Sequence, residues 1–460
     1  ISETTQLNRI RKYYVDYFGH LRKVLSPQDH LIVGRRGTGK TTLLYRSLIE
    51  CVESWGNQES LAKPRSLGIY LDLSKCQPIT DKATSDVHKF YTDAEVIYSA
   101  LPNNPSAYIT LMTSEGNDAT APYTAQMKNW ERNFDEAPIN ENRTVIRLNA
   151  LLMLFSFNTY FVHILAMCFI SLFGWVLLFN GIYQYINRPP TVLALLPLLL
   201  PSILFWASGV LKEPILVLGL GVFVYGLLST RLWLRITCCG LGIVLLLAIK
   251  FYVLVCVLPA AFAFVLLPKT TNTIKVSAKY LVLYIALAFA AFNVQHLVPR
   301  INAMQMLANK QNHSVKEAIY FNAASRIDIP QVDASAFSIT KAAPIAIWNT
   351  LMRPYIWEGR NPMMLASAME NLMLIGIILL SLLYFKWQPA HFNLVMFLLL
   401  ASLSYFVVIG LCTPVLGNLV RYKAPLLPLF LFAFIIMADE ERLANTWQVL
   451  RRINTFCCGK

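Results

Sequence analysis

The chain is poor in charge. Only 14% of its 460 residues are Asp, Glu, Lys or Arg, against roughly 25% in ordinary soluble domains. The scarcity is uneven: residues 1–147 carry charges throughout, whereas long charge-free runs dominate 148–438. That asymmetry excludes a uniformly soluble globule and places the chain among polytopic membrane proteins with a soluble N-terminal part. The nine cysteines lack the spacing of a metal site or a disulfide framework. Cys168, Cys238, Cys239, Cys256 and Cys412 lie in apolar runs, where cysteine behaves as a small hydrophobe. No internal repeat of the transporter kind is visible. Ile1 opens the chain without Met or a signal-peptide pattern, so a natural start upstream is expected. The net charge of +14 fits Lys and Arg in inner loops and at lipid head groups, and no nucleic-acid partner is expected.

What is present in abundance is hydrocarbon. A helix crosses the bilayer core with about 20 apolar residues, and nine spans are expected at about 160–186, 191–209, 213–230, 232–249, 251–268, 278–297, 366–386, 392–413 and 418–437. With the C-terminus cytoplasmic, inner segments hold eleven Lys or Arg and the short outer turns hold four: Lys212, Lys250, Arg421 and Lys423. Both long polar stretches, 81–147 and 298–363, then lie outside, together with everything before them. The expected plan is a P-loop segment at 1–80, an extracytoplasmic loop at 81–147 and spans within 148–297. A second loop at 298–363, spans within 364–438 and a cytoplasmic tail at 439–460 complete it.

The N-terminal segment conflicts with that sidedness. Residues 30–47 read "HLIVGRRGTGKTTLLYRS", and Gly34 to Thr41 fits G-x-x-x-x-G-K-[ST] in full. Gly34, Gly37 and Gly39 would let backbone N–H groups turn around phosphate oxygens, and the helix N-terminus at Thr41 and Thr42 would add positive potential. Lys40 would reach the β- and γ-phosphates of ATP, and Thr41 would ligate Mg²⁺. "HLIV" and "LGIYLDL" (67–73) are strand candidates flanking the helix, and Asp72 is the metal-side candidate, with a turn-capping Asp as the alternative. The α/β rhythm then stops, so the segment resembles the opening of an AAA-like P-loop ATPase, cut short. Three routes reconcile the two halves: a helical hairpin in 148–187 making ten spans, a span missing near residue 80, or a foreign segment joined at the front.

From about residue 81 the chain carries "TDAEVIYSALPNNPSAY" (92–108), "NENRTVIRLNALLMLFSFNTYFVH" (140–163), "LPSILFWASGVLKEP" (200–214) and "GNLVRYKAPLLPLF" (417–430). Together these resemble bacterial membrane glycosyltransferases of the GT-C superfamily, the class of the protein mannosyltransferases. The resemblance implies a mainly α, polytopic fold in the bacterial inner membrane. It implies a sugar donor linked to polyprenyl phosphate and an extracytoplasmic glycan or protein acceptor. It also implies an acidic catalytic residue in the first external loop, matched by Asp93 and Glu95, acting as general base on the acceptor hydroxyl. Whether a divalent metal assists is open.

Other candidates come from the residues themselves. Lys212 and Glu213 sit between two spans, where ionisable groups are either functional or a snorkelling Lys with a turn Glu. Arg421 and Lys423 suit a lipid-phosphate anion, or serve with Tyr422 as an interfacial anchor. Arg143 and Arg147 could support the same anion or begin an interfacial helix. His163, on an apolar run, reads as a satisfied buried histidine. The competing functions are an ATP-binding membrane protein coupled to a transporter or channel, and a joined sequence without a working site.

Overall fold

The computed structural model describes residues 86–131, 140–186, 200–266, 272–297, 302–359 and 362–439, with Pro197 and Arg442. The chain divides into two compact units, Ile1–Ala83 and Thr84–Lys460. The P-loop, both strand candidates and Asp72 lie outside the described residues. Those that are described build helices and no strand.

The helices, in chain order, are α1 (Asp86–Asn103), α2 (Pro105–Thr113), α3 (Ala121–Thr124), α4 (Glu141–Ser156), α5 (Tyr160–Tyr183), α6 (Pro201–Trp206), α7 (Glu213–Leu228) and α8 (Leu232–Ile249). There follow α9 (Phe251–Leu266), α10 (Thr273–Leu297), α11 (Ala303–Tyr320), α12 (Ala336–Met352), α13 (Pro362–Leu383), α14 (Phe392–Cys412), α15 (Leu416–Lys423) and α16 (Leu427–Ile435). Local chemistry sets many of the ends. The Asn104 side chain caps α2 by accepting from the Ala107 N–H, with Pro105 in the first turn. Asn140 caps α4, and Arg421 and Lys423 fall in the last turn of α15, where cations meet the negative end of the helix dipole.

Among the described residues six stretches are long and apolar enough to cross a membrane: Tyr160–Tyr183, Leu232–Ile249, Thr273–Ala290, Pro362–Leu383, Pro389–Cys412 and Leu416–Ile435. Helices α7 and α9, on the expected spans 213–230 and 251–268, are apolar but shorter. Of 191–209, the described residues contribute the six-residue α6. The 148–187 run is no hairpin of two spans. It breaks at Phe157 and Asn158, both with positive φ, and α4 on the near side of the break is neither long nor apolar enough. The last span is itself broken, as α15, a 3-10 turn at Ala424–Leu426 and α16. The two stretches expected as loops are largely helical, holding α1 to α4 and α11 to α12.

Large apolar side chains lie on the outside as well as in the core. On α5, Phe161, Leu165, Phe169, Leu172 and Val176 are exposed at helical spacing, while Met167, Ser171, Gly174, Trp175, Leu178 and Gly181 face inward. Helices α8 and α10 likewise expose Ile236, Leu241, Val244, Leu281, Ile285 and Phe289. Large apolar groups on the outer faces, with glycines where helices cross, is an arrangement lipid allows, because helices associate there through close packing of small residues. Helices α5 and α7 run parallel and cross where a Cβ on Gly221 would collide with the carbonyl oxygen of Gly174. Helix α8 returns antiparallel to α7, bringing Gly242 onto Phe223. Helices α9 and α14 are antiparallel too, with Tyr252 stacked on Tyr405 at 5.9 Å. One end of the bundle thereby collects the starts of α4, α7 and α9, the end of α8 and the end of α15.

Candidate functional site: a buried charge cluster

Five ionisable side chains meet at that end. Glu213, the first residue of α7, is 1% exposed. The Arg421 guanidinium donates to both of its carboxylate oxygens, from Nε at 2.8 Å and from Nη2 at 3.1 Å. This is the planar two-point pairing that Arg alone offers. The Lys250 ammonium, at the end of α8, donates to the same Oε1 at a longer 3.4 Å and sits 4.5 Å from the Tyr422 ring centre. Beside them Lys212 donates to Glu141 Oε1 at 2.6 Å and lies over the Phe90 ring. Trp206 covers the Arg421 guanidinium at 5.5 Å. Among the described residues, three cations (Lys212, Lys250 and Arg421) and two carboxylates (Glu141 and Glu213) thus share a largely buried place, where a charge is costly unless it is paired.

Lys423, two residues after Arg421, turns elsewhere. Its ammonium donates to the carbonyls of Thr350 and Arg353 at 3.1 and 3.2 Å and to Asn371 Oδ1 at 2.8 Å. All three of its protons are used. Asn371 in turn holds the Pro354 carbonyl, and its neighbour Glu370 accepts from the backbone and hydroxyl of Ser202. This second network ties α6, α12, α13 and α15 together.

The two carboxylates expected as catalytic stand on different faces of α1. Asp93 is 2% exposed. Its Oδ1 accepts from the Lys128 N–H at 3.0 Å, and its Oδ2 from the Asn129 N–H at 2.8 Å and the Asn129 amide at 3.2 Å. It therefore pins the 127–130 loop. Arg143 and Arg147 hold the same loop from the other side, donating to the carbonyls of Trp130, Leu111 and Ser114 and flanking the Trp130 ring. Glu95 is half-buried and accepts from Asn158 Nδ2 at 2.8 Å. The same Asn158, held in the left-handed region, accepts from the Tyr91 hydroxyl. Burial, and then the Glu95 carboxylate, push the Tyr91 phenol up to about 12, so it stays a neutral donor at physiological pH. His163 is a satisfied core histidine, between Asn149 Oδ1 and Ser156 Oγ, each at 2.8 Å.

The structure brings Lys212, Glu213 and Arg421 together and separates Lys423, Asp93 and Glu95 from them. Sequence reasoning gave Lys250 no site role, although it interrupts the charge-free runs 236–249 and 251–268 as a lone cation. Glu141 and Glu370 were missed because nothing in their own segments names a partner 71 or 168 residues away. Among the described residues no group of His, Cys, Asp and Glu is arranged to hold a metal ion.

A family model described as ORC-CDC6-like matches residues 3–88, a stretch that contains Gly34 to Thr41 and Asp72. No curated protein and no solved structure matches the chain. The matched stretch ends in the first turn of α1.

Proposed function

We propose that the helical part is a membrane glycosyltransferase-like protein that transfers a sugar from a polyprenyl-phosphate-linked donor to an extracytoplasmic acceptor. The observation behind this reading is the cation-rich cluster of Glu141, Lys212, Glu213, Lys250 and Arg421, at one end of a bundle whose sides expose large apolar groups. A lipid phosphate has the complementary charge and a tail that belongs among such helices. Lys250 is the group best placed to meet it, since Arg421 is closed on Glu213 while the Lys250 contact is long.

In the transfer, the acceptor oxygen forms a bond to the anomeric carbon as the bond from that carbon to the phosphate oxygen breaks. The acceptor proton passes to a carboxylate, and the phosphate departs with the bonding pair, its charge met by Lys250. Asp93 does not suit the base, since three N–H donors engage its oxygens, and Glu95 stands apart from the cluster on Asn158. The test is sugar transfer by the full chain in bilayers, from a labelled polyprenyl-phosphate sugar. Lys250→Gln should cost at least about tenfold in donor use without loss of fold, as expected when a charged contact to the phosphate is removed. An unchanged rate in that variant, or no transfer by the unaltered chain, overturns the assignment.

A second reading rests on residues 3–88. The ORC-CDC6-like match around Gly34 to Thr41 supports an ATP- and Mg²⁺-binding segment coupled to the membrane part. Nucleotide binding by the full chain that is lost in Lys40→Ala would favour it, and absence of binding would remove it.

A further inference from the structure

The turn between α12 and α13 carries an aromatic platform. Tyr355 and Trp357 stack there, with ring centres 4.8 Å apart and planes within 19° of parallel. Trp357 is 82% exposed, so the face turned away from Tyr355 is open. The exposed Trp348, at the end of α12, joins the pair by donating from Nε1 to the Tyr355 hydroxyl at 2.7 Å. The rings are held in place from below. The Tyr355 N–H donates to Glu358 Oε2 at 2.8 Å, the Arg353 carbonyl accepts from Lys423, and the Pro354 carbonyl accepts from Asn371. Because Lys423 follows Arg421 by two residues, the turn lies at the end of the bundle that carries the charge cluster. A charged pair borders the rings. The Arg353 guanidinium is 5.5 Å from the Tyr355 ring centre and 3.6 Å from Glu358 Oε1, and both side chains are partly exposed.

We infer that this turn binds a saccharide. The platform offers a flat apolar face with a hydrogen-bonding pair at its edge, and the ligand must match both. A hydrocarbon chain has no use for Arg353 and Glu358. The pair carries one charge of each sign, which favours neither an anion nor a cation. A neutral pyranose has what remains: a C–H face, weakly positive, that lies on the electron-rich face of Trp357, and hydroxyls that accept from Arg353 and donate to Glu358. A few polar groups beside an aromatic wall are also what orients a ligand in small-molecule sites. The competing occupant is the head-group layer, because Trp357 stands five residues before Pro362, where an apolar stretch begins, and Trp is frequent at that depth. An interfacial anchor needs only depth, whereas this ring pair is fixed by Trp348, Glu358 and two bonded carbonyls next to a neutral charged pair. Assigning the site to the acceptor glycan rests on the transferase reading; saccharide binding itself does not.

The experiment uses the full chain in phosphatidylcholine bilayers, with no sugar donor present. The probes are a β-linked trimer of N-acetylglucosamine and an α-linked trimer of mannose, followed by saturation-transfer NMR. At least one trimer should give a saturable signal, strongest on the protons of one ring face. Trp357→Ala should weaken binding at least about tenfold, as loss of a stacking surface implies, with the unfolding midpoint unchanged because the ring is exposed. Trp348→Phe, which frees the Tyr355 hydroxyl, should weaken it less. No saturable signal from either trimer would overturn the inference, as would binding that survives in Trp357→Ala. Quenching of Trp357 by phosphatidylcholine brominated near its head group, unrelieved by either trimer, would assign the ring to the membrane interface and also overturn it. Trimer binding by a chain that transfers no sugar would uphold the site and remove only its assignment to the acceptor.

Discussion

The two ends of the helical bundle solve opposite problems with the same residue types. At the end that holds Glu213, lysines and an arginine are buried, each drawn to a carboxylate, a carbonyl or an aromatic face. At the end where α10 and α14 begin, Lys275, Lys279 and Lys386 stand exposed, and the space between the two helices is apolar and open. The contrast teaches where a charge counts. A buried cation constrains packing through its partners. An exposed one contributes little to the fold and acts through its field on whatever lies at the surface.

The sharpest way to break the comparison is to remove the shared carboxylate. Glu213→Ala leaves Arg421 and Lys250 buried against each other and should cost about 3–5 kcal/mol, read as unfolding in mixed detergent. A loss near zero would mean that water already reaches the cluster. Next in size, Gly221→Ala forces α5 and α7 apart at their crossing and should destabilise by about 1–3 kcal/mol. Asp93→Asn trades a buried carboxylate for an amide that cannot accept from all three N–H donors, and should cost about 1–3 kcal/mol in the same assay. Glu95→Gln provides the counterpart, because its carboxylate is half-exposed: stability should move by no more than about 0.5 kcal/mol. Transfer in Asp93→Asn should fall only with the folded fraction. Smallest of all, Lys275→Gln with Lys386→Gln, both on exposed side chains, should leave unfolding within about 0.5 kcal/mol of the unaltered chain.

Much of this was legible in the chain, element by element. The runs at 160–186, 232–249 and 392–413 are so apolar that their helices follow from length and composition, and five of the six qualifying stretches fall on expected spans nearly end to end. Thr273–Ala290 overlaps the expected 278–297 but begins earlier. The last span was placed correctly, yet its interruption at Ala424–Leu426 was not foreseen, although Pro425 and Pro428 signal it. The helices in 81–147 and 298–363 were hidden by polarity. Their apolar faces are narrow and need neighbours to be worth forming. Lys212, Glu213 and Arg421 were picked out because charge at membrane depth is rare, and the same rule would have caught Lys250.

Composition and the order of apolar runs alone determined that this protein is helical and built for a bilayer, since a backbone in hydrocarbon must satisfy its own hydrogen bonds. They also singled out the cations that interrupt the apolar runs, Lys212, Lys250, Arg421 and Lys423. Only the tertiary structure decided which of those cations share a carboxylate, because that depends on α7, α8 and α15 ending side by side. It also decided that Lys423 serves carbonyls while Arg421, two residues earlier, serves Glu213. Adjacent positions on a helix are turned about 100° apart, so neighbours in the chain point to different partners, and partner choice is a property of packing rather than of spacing.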